Sequence, residues 1–167
     1  MPLRFESRSC INGDSRLRPA LLEPGVTRLH EIPDDLMPEK NKRILIVEDD
    51  PAISELLTTI LSTQPFDLTA VPNGAEGLKR VLADDYDLII CDMVMPGFPG
   101  DMFYRAVERV RPHLCSRFLF VTGHNGDPRV DGFIRSIRGL MLFKPFQLHE
   151  LSTAMEVVLH KGQPRRG

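Results

Sequence analysis

The stretch RILIVEDDP, residues 43–51, decides the fold, because an apolar run leads directly into three carboxylates and a proline. A nearly continuous apolar run of this length is typical of a strand covered on both faces of a parallel sheet. Asp50 followed by Pro51 fits the N-cap and the first position of a helix. The apolar residues that come next recur at helical spacing: Ile53, Leu56, Leu57, Ile60 and Leu61. A strand that runs straight into a helix predicts a βα unit.

The same alternation of strand and helix patterns continues along the chain. The predicted strands are RILIV (43–47), DLTAV (67–71), DLIIC (87–91), RFLFV (117–121) and LMLF (140–143). Asn73 is a candidate cap of the second helix, and the later apolar stripes are Leu78, Val81 and Leu82; Phe103, Ala106, Val107 and Val110; Val130, Phe133, Ile134 and Ile137; and Leu148, Leu151, Met155, Val158 and Leu159. Repeated βα units predict an α/β fold, a doubly wound five-stranded parallel sheet in the flavodoxin-like order 2-1-3-4-5 with five helices.

The composition fits one globular domain with an appendage. The chain has 167 residues, of which 42% are hydrophobic. Residues 1–41 are rich in proline and have no sustained period, so we expect a flexible N-terminal extension there. A single domain is expected over residues 42–160 and a C-terminal tail over 161–167, with no second domain.

Charge and side-chain chemistry exclude several classes of partner. A formal net charge of -2 gives no basic field that would attract nucleic acid or an anionic membrane. The longest apolar runs are far shorter than the roughly 20 residues of a membrane span, so we expect a cytoplasmic protein. The cysteines and histidines lack the clustering of a disulfide framework or a zinc site. Cys91 and Cys115 are expected at buried strand positions.

Chemically active residues gather where the predicted strands end. The first strand runs into Glu48 and Asp49, the third into Asp92, the fourth into Thr122 and the fifth into Lys144. In the order 2-1-3-4-5 the first and third strands are neighbours, so three carboxylates converge on one small volume. Clustered carboxylates repel one another unless a cation neutralises them, and oxygen ligands suit Mg²⁺. The sequence therefore predicts a Mg²⁺ site at this edge of the sheet.

The groups around this site are suited to phosphoryl transfer. With Mg²⁺ bound, a carboxylate can attack a phosphorus atom in line, and Asp92 is the most central of the three. Thr122 would donate a hydrogen bond, and Lys144 a positive charge, to the equatorial oxygens. Gly123 has no side chain to block the approach, and MPGFPG, residues 95–100, is a turn-rich loop that can reshape around the group. The site is suited to its own phosphorylation.

Four motifs in register, ILIVEDDP, IICDMVMPGFPG, FVTG and FKPF, resemble the response regulator receiver family of two-component signalling. The resemblance covers residues 42–160. It implies that Asp92 is the phosphoacceptor, that Asp49 is a direct metal ligand and that Glu48 acts through water. It also implies that the backbone carbonyl of Val94 joins Asp92 as a Mg²⁺ ligand.

The resemblance extends to the phosphoryl contacts and to the partners. Thr122 and Lys144 would contact the phosphoryl oxygens, and the Lys144–Pro145 peptide would be cis. The upstream partner would be a histidine kinase or a phosphotransfer protein, and the downstream target is an unknown protein. The family's output face, formed by the fourth helix, fifth strand and fifth helix, allows a phosphorylation-dependent homodimer. Such a domain catalyses only its own phosphorylation and dephosphorylation.

Three positions distinguish this chain within the family. Met141 stands where the family often has Tyr or Phe, three residues before the lysine, as a rotameric switch coupled to the threonine. Val94 and His124 occupy positions that in the family tune the lifetime of the phosphoryl group. Met141 keeps open the alternative of a receiver-like interaction module that works without phosphorylation. A receiver once attached to a sensor kinase is a further reading.

Other functions fit the sequence less well. An aspartate-based phosphatase needs a second acid two residues after its nucleophile, where this chain has Val94. A nucleotide- or flavin-binding fold needs a glycine-rich phosphate loop after the first strand, where this chain has carboxylates. Asp50 is expected to act only as a helix cap. Arg129, Arg135 and Arg138 on the fourth helix are expected to form a solvated face, with a docking surface as the alternative.

Overall fold

The structure contains a sheet of five parallel strands, as predicted. They are β1 Lys42–Val47, β2 Phe66–Val71, β3 Leu88–Asp92, β4 Phe118–Thr122 and β5 Leu140–Phe143. The computed structural model describes residues 40–123, 128–137 and 139–161, and in it the strand order is β2-β1-β3-β4-β5. Each predicted strand is confirmed to within one residue at either end, and the strand order is confirmed as well.

Within the described ranges, five α-helices alternate with the strands, as predicted. They are α1 Pro51–Leu61, α2 Gly74–Ala83, α3 Gly100–Val110, α4 Pro128–Ser136 and α5 Leu148–Lys161. A sixth, 3₁₀ helix at Pro112–Arg117 was not predicted. It contains Cys115, so the expected strand position of this buried cysteine was wrong, whereas Cys91 lies buried in β3. Six residues are too few for a helical period to show in the sequence.

Side chains of the sheet alternate between two apolar layers. In β1, Leu45 and Val47 join the layer that packs under α2 and α3, whereas Ile44 and Ile46 join the layer that packs under α1 and α5. Successive residues of a strand point to opposite faces, so a continuous apolar run serves both layers. This explains why apolar and polar residues do not alternate in the strand segments of the sequence.

Several residues of the predicted apolar stripes lie outside the core. Leu56, Leu82, Val110 and Leu148 are each about half exposed. Each helix covers the sheet with only one narrow side, and the ends of α2, α3 and α5 extend past the packed layer. Predicted stripes that included these four residues were therefore too wide.

Two sequence predictions concern the chain ends. The expected extension, apart from residues 40 and 41, and the tail after residue 161 lie outside the described residues. Among the helices of the described part, none is both long enough and apolar enough to cross a membrane.

Candidate functional site

The strand ends bring three carboxylates together at one edge of the sheet. Val47 pairs with Cys91 across β1 and β3, so the residues that follow them, Glu48 and Asp92, lie side by side. One carboxylate oxygen from each of Glu48, Asp49 and Asp92 lies within 4.8 Å of the other two. The convergence that the sequence indicated is present in the fold.

Both carboxylate oxygens of Asp92 are held in place. The backbone N–H of Val94 donates to Oδ1 at 3.1 Å, and the Lys144 ammonium donates to Oδ2 at 3.0 Å. The side chain lies largely buried at the end of β3. Its orientation is therefore fixed by one backbone and one side-chain donor before any other group binds.

Glu48 is the most buried of the three acids. Its Oε1 accepts from the backbone N–H of Asp50 at 3.3 Å, and its Oε2 accepts from Lys144 at 3.1 Å. Burial and then the negative charge of Asp92 raise the pKa of Glu48, although Lys144 opposes this shift. The cluster therefore favours additional positive charge.

Lys144 is the cation that joins the two buried acids. Burial lowers the pKa of its ammonium, but the hydrogen bonds and charges of Asp92 and Glu48 outweigh burial and raise the pKa overall. Lys144 therefore stays charged at neutral pH. The Lys144–Pro145 peptide bond is cis, as the resemblance implied.

Thr122 and Lys144 are joined through the backbone. The N–H of Lys144 donates to the carbonyl oxygen of Thr122 at 2.7 Å. Thr122 is fully buried at the end of β4, where the preceding residue, Val121, pairs with Asp92. Gly123 is exposed, and a Cβ built there meets no described atom within 4 Å. Among the described residues, none blocks the space beside Gly123.

The sequence did not indicate two contacts that position Asp92. One is the hydrogen bond from the Val94 N–H, which could not be predicted because every residue type except proline carries a backbone donor. The other is Gly100, which packs so closely on the backbone carbonyl of Asp92 that a Cβ could not fit, while its own N–H donates to Met93 O at 3.1 Å. The glycine at the end of MPGFPG was the available signal.

The thiol beside the phosphoacceptor candidate, Cys91, is buried and held in its protonated form. Burial, followed by the charges of Asp92 and Glu48, raises the pKa of Cys91 well above its usual value. A thiol rather than a thiolate is a poor nucleophile and a poor metal ligand. The carboxylate of Asp92 is therefore the candidate nucleophile at the end of β3.

The residues present fit a hard divalent cation. All three converging side chains offer carboxylate oxygens, which are the ligands that Mg²⁺ takes. Asp49 is exposed, so an ion that keeps several waters can reach its carboxylate. The main chain of Val94 lies beside Asp92, but only its N–H is seen in contact with the carboxylate.

Two other residues singled out from the sequence, Met141 and Arg135, are not among the contacts given above. Met141 is half-buried in β5, pairs with Phe120 of β4 and packs against the layer under α2 and α3. Arg135 is exposed on α4. His124, Arg138 and the side chain of Arg129 fall outside the described residues.

Comparison with known proteins gives a consistent result. The family model described as the response regulator receiver domain matches residues 44–156. The transcriptional activator protein IrlR of Burkholderia pseudomallei is 35% identical over 125 residues, which are 74% of this chain and 52% of IrlR. The response regulator receiver protein CpdR of Brucella abortus is 29% identical over 118 residues, covering 71% of this chain and 97% of CpdR.

A solved structure shows the same fold. The response regulator protein TrrA of Thermotoga maritima, in complex with Mg²⁺ and BeF, has a TM-score of 0.62 and 29% identity, covering 71% of this chain and 99% of that one. The chain spans about half the length, or less, of the first curated relatives it matches. The family match covers more than half of the chain, including every strand end described above. This chain belongs to the response regulator receiver domain family of two-component signalling.

Proposed function

We propose that Asp92 accepts a phosphoryl group from a histidine kinase or a phosphotransfer protein in a Mg²⁺-dependent reaction, and that the domain then signals by a conformational shift. The observation that carries the proposal is the bridging of Asp92 and Glu48 by Lys144, at 3.0 and 3.1 Å, beside the three-carboxylate cluster. A structural ion pair would need only one of these acids.

The transfer step follows from the position of Asp92. A carboxylate oxygen attacks phosphorus, an O–P bond forms, and the P–N bond of the donor's phosphohistidine breaks, with its electron pair returning to the imidazole. Mg²⁺ held by Glu48, Asp49, Asp92 and the carbonyl of Val94 would neutralise charge between the carboxylates and the phosphoryl oxygens. The Val94 N–H keeps Asp92 oriented during the attack.

Lys144 and Thr122 act on the phosphoryl oxygens in this proposal. The Lys144 ammonium is already within hydrogen-bond distance of Asp92, so it is close to any group attached there. The backbone hydrogen bond between these two residues keeps the ammonium and the Thr122 hydroxyl on adjoining strand ends. Together they would compensate the negative charge that arrives with the phosphoryl group.

The proposal extends to the partners of the whole protein. We propose that the switch acts on a separate protein, an arrangement supported by the nearly complete coverage of CpdR. The downstream target, or a second copy of this chain, would dock on α4, β5 and α5 after phosphorylation. Because the donor kinase uses ATP, the proposal assigns the protein to the cytoplasm.

The test is phosphorylation by a small donor. Wild type incubated with Mg²⁺ and acetyl phosphate should gain the mass of one phosphoryl group, measured by intact mass spectrometry. Asp92→Asn should not, because an amide oxygen is a far weaker nucleophile than a carboxylate. Wild type with the metal chelated is the matched control and should also stay unlabelled.

Two results would contradict the proposal. Equal labelling of wild type and Asp92→Asn would mean that another residue accepts the phosphoryl group. A wild type that stays unlabelled by acetyl phosphate and by a phosphorylated phosphotransfer protein would leave the phosphorylation-independent interaction module, the alternative that Met141 keeps open, as the function.

A further inference from the structure

A cluster of aromatic rings connects α3, β4 and α4. The Tyr104 ring on α3 meets the Phe133 ring on α4 edge to face, with centroids 5.6 Å apart at 90°. Phe133 also meets Phe120 of β4 at 5.4 Å and 82°, and Phe120 stacks on Phe118 at 5.2 Å. Helix α4 is therefore seated on the core through the ring of Phe133.

This cluster adjoins the elements that form the phosphorylation site. Phe120 lies two residues before Thr122 in the same strand. Tyr104 lies one turn after Gly100, which packs on the backbone of Asp92. A change at either strand end can thus reach Phe133 through a strand or a helix that contacts it.

Arg105 of α3 covers this cluster from the solvent side. Its guanidinium carbon lies 5.6 Å from the centroid of the Phe133 ring and 5.9 Å from that of Tyr104. Its Nη2 donates to Ser136 Oγ at 2.9 Å, and Ser136 Oγ in turn donates to the carbonyl of Phe133 at 2.8 Å. Arg105 therefore binds both the ring by which α4 is seated and the last turn of that helix.

The neighbouring position on β5 is poorly suited to sense α4. Met141 pairs with Phe120, but a thioether chain adapts to many shapes and has no pair of discrete ring positions. The partly buried Phe133 ring contacts Tyr104, Phe120 and Arg105, so a movement of α4 along α3 would change the contacts of Arg105. Helix α4 therefore has two distinct states, one in which Arg105 contacts Phe133 and Ser136 and one in which these contacts are broken.

We propose that Arg105 is a latch: it holds α4 in the arrangement seen here, in which Lys144 binds both buried acids, and it is released when Asp92 carries a phosphoryl group. The inference rests on the proposed function and names the residue that regulates it. Arg105 acts as a positioning residue, since it touches α4 and not the reacting atoms.

The latch has a consequence for binding at Asp92. The Arg105 contacts favour the latched over the released arrangement by some factor. A ligand that binds the released arrangement has its apparent affinity reduced by that factor, so removing the contacts should increase the affinity by the same factor. An exposed cation–π contact of this kind corresponds to a change of about two- to fivefold. The ligand in the test is beryllofluoride, a mimic of the phosphoryl group, in saturating Mg²⁺.

Calorimetric titration of the whole chain with beryllofluoride tests the latch. Arg105→Ala and Ser136→Ala should each bind roughly two- to fivefold more tightly than wild type. The double variant should gain less than the product of the two, because the residues act through one contact. Arg105→Lys should fall between wild type and Arg105→Ala, since an ammonium can still lie over an aromatic ring but does not reproduce the planar, forked guanidinium that contacts two rings and Ser136 at once.

A variant on the same helix is the matched control. Arg109→Ala removes the same charge from an exposed position one turn later. It should bind beryllofluoride as wild type does. Arg105→Ala binding no more tightly than Arg109→Ala would overturn the latch while leaving phosphorylation of Asp92 intact. Wild type failing to bind, with Asp92→Asn indistinguishable from it, would overturn the proposed function and the latch together.

Discussion

At the scale of single residues, the site is built as much from close packing as from charge. Gly100 begins α3 against the backbone of Asp92, and an added Cβ would collide with the Asp92 carbonyl and with Met93. A backbone atom cannot move aside as the end of a flexible side chain can. The position of the phosphoacceptor candidate therefore depends on a residue that carries no chemistry.

Gly100→Ala should lower the free energy of unfolding by about 1–3 kcal/mol, as is typical of overpacking in a buried position. Urea denaturation measures this change. Gly132→Ala is the matched control: it lies inside α4, where a Cβ meets no described atom within 4 Å. That variant should be more stable than wild type by roughly 0.5–1 kcal/mol, the usual gain from replacing glycine within a helix. Equal losses for both variants would contradict the packing argument.

The charged side chains of the site could be predicted from the residue types, but its backbone hydrogen-bond donor could not. Glu48, Asp49, Asp92 and Lys144 stand directly at strand ends, so the strand pattern and the parallel order were enough to bring them together. The N–H of Val94 depends on the path of the loop after β3. Loop paths follow from tertiary contacts that a hydrophobic pattern does not encode.

At the scale of the elements, helix beginnings were easier to predict than helix faces. Asp50 Oδ1 accepts from the N–H groups of Ala52 at 2.8 Å and Ile53 at 3.3 Å, and Asn73 Oδ1 accepts from Glu76 N–H at 2.9 Å. Both predicted caps are confirmed, because capping is a local interaction between neighbours in sequence. Burial of Leu56 or Leu148 depends instead on how far the sheet extends beneath the helix.

Asp50→Ala should destabilise the protein by about 1 kcal/mol, because it leaves two N–H groups at the start of α1 without their acceptor. Thermal or urea unfolding at neutral pH measures the loss. Asp50→Ser retains a capping oxygen and should recover most of the stability. A serine variant as unstable as the alanine variant would show that Asp50 matters through its charge near the acidic cluster and not through capping.

At the scale of the whole molecule, a second cluster of charged side chains lies in the loops at the opposite end of the strands. Asp85, which precedes β3, binds His113 at 2.9 Å and also binds Arg111. The hydrogen bond from His113 lowers the pKa of Asp85 most; burial opposes it, and the hydrogen bond and charge of Arg111 add to the lowering, so the pKa falls overall. These contacts connect the end of α2 to the 3₁₀ helix that the sequence did not reveal.

The lowered pKa predicts a defined pH dependence. Asp85 is ionised more readily in the folded than in the unfolded chain, so its contribution is complete above the unfolded value and is lost as pH falls through the lowered folded value. Asp85→Asn should therefore be less stable than wild type at pH 6, by less than about 1 kcal/mol for an exposed group.

Urea unfolding from pH 6 down to pH 3 checks this dependence. The stability difference between wild type and Asp85→Asn should narrow as the medium becomes acidic below the ordinary aspartate pKa of 3.8. Glu55→Gln removes an exposed carboxylate of α1 and serves as the control for general charge effects. A difference that stays constant across this range would contradict the assigned ion contacts.

The ring cluster at α4 contains one of the tyrosines whose fluorescence the protein shows. The chain contains no tryptophan and two tyrosines, so its near-ultraviolet emission comes from Tyr86 and Tyr104. Tyr86 lies under Arg43 at the other end of the strands, whereas Tyr104 sits against Phe133. Replacing Tyr86 with phenylalanine would leave Tyr104 as the single tyrosine, located where α3 meets α4. The protein thus carries its own optical reporter of helix movement, without an attached dye.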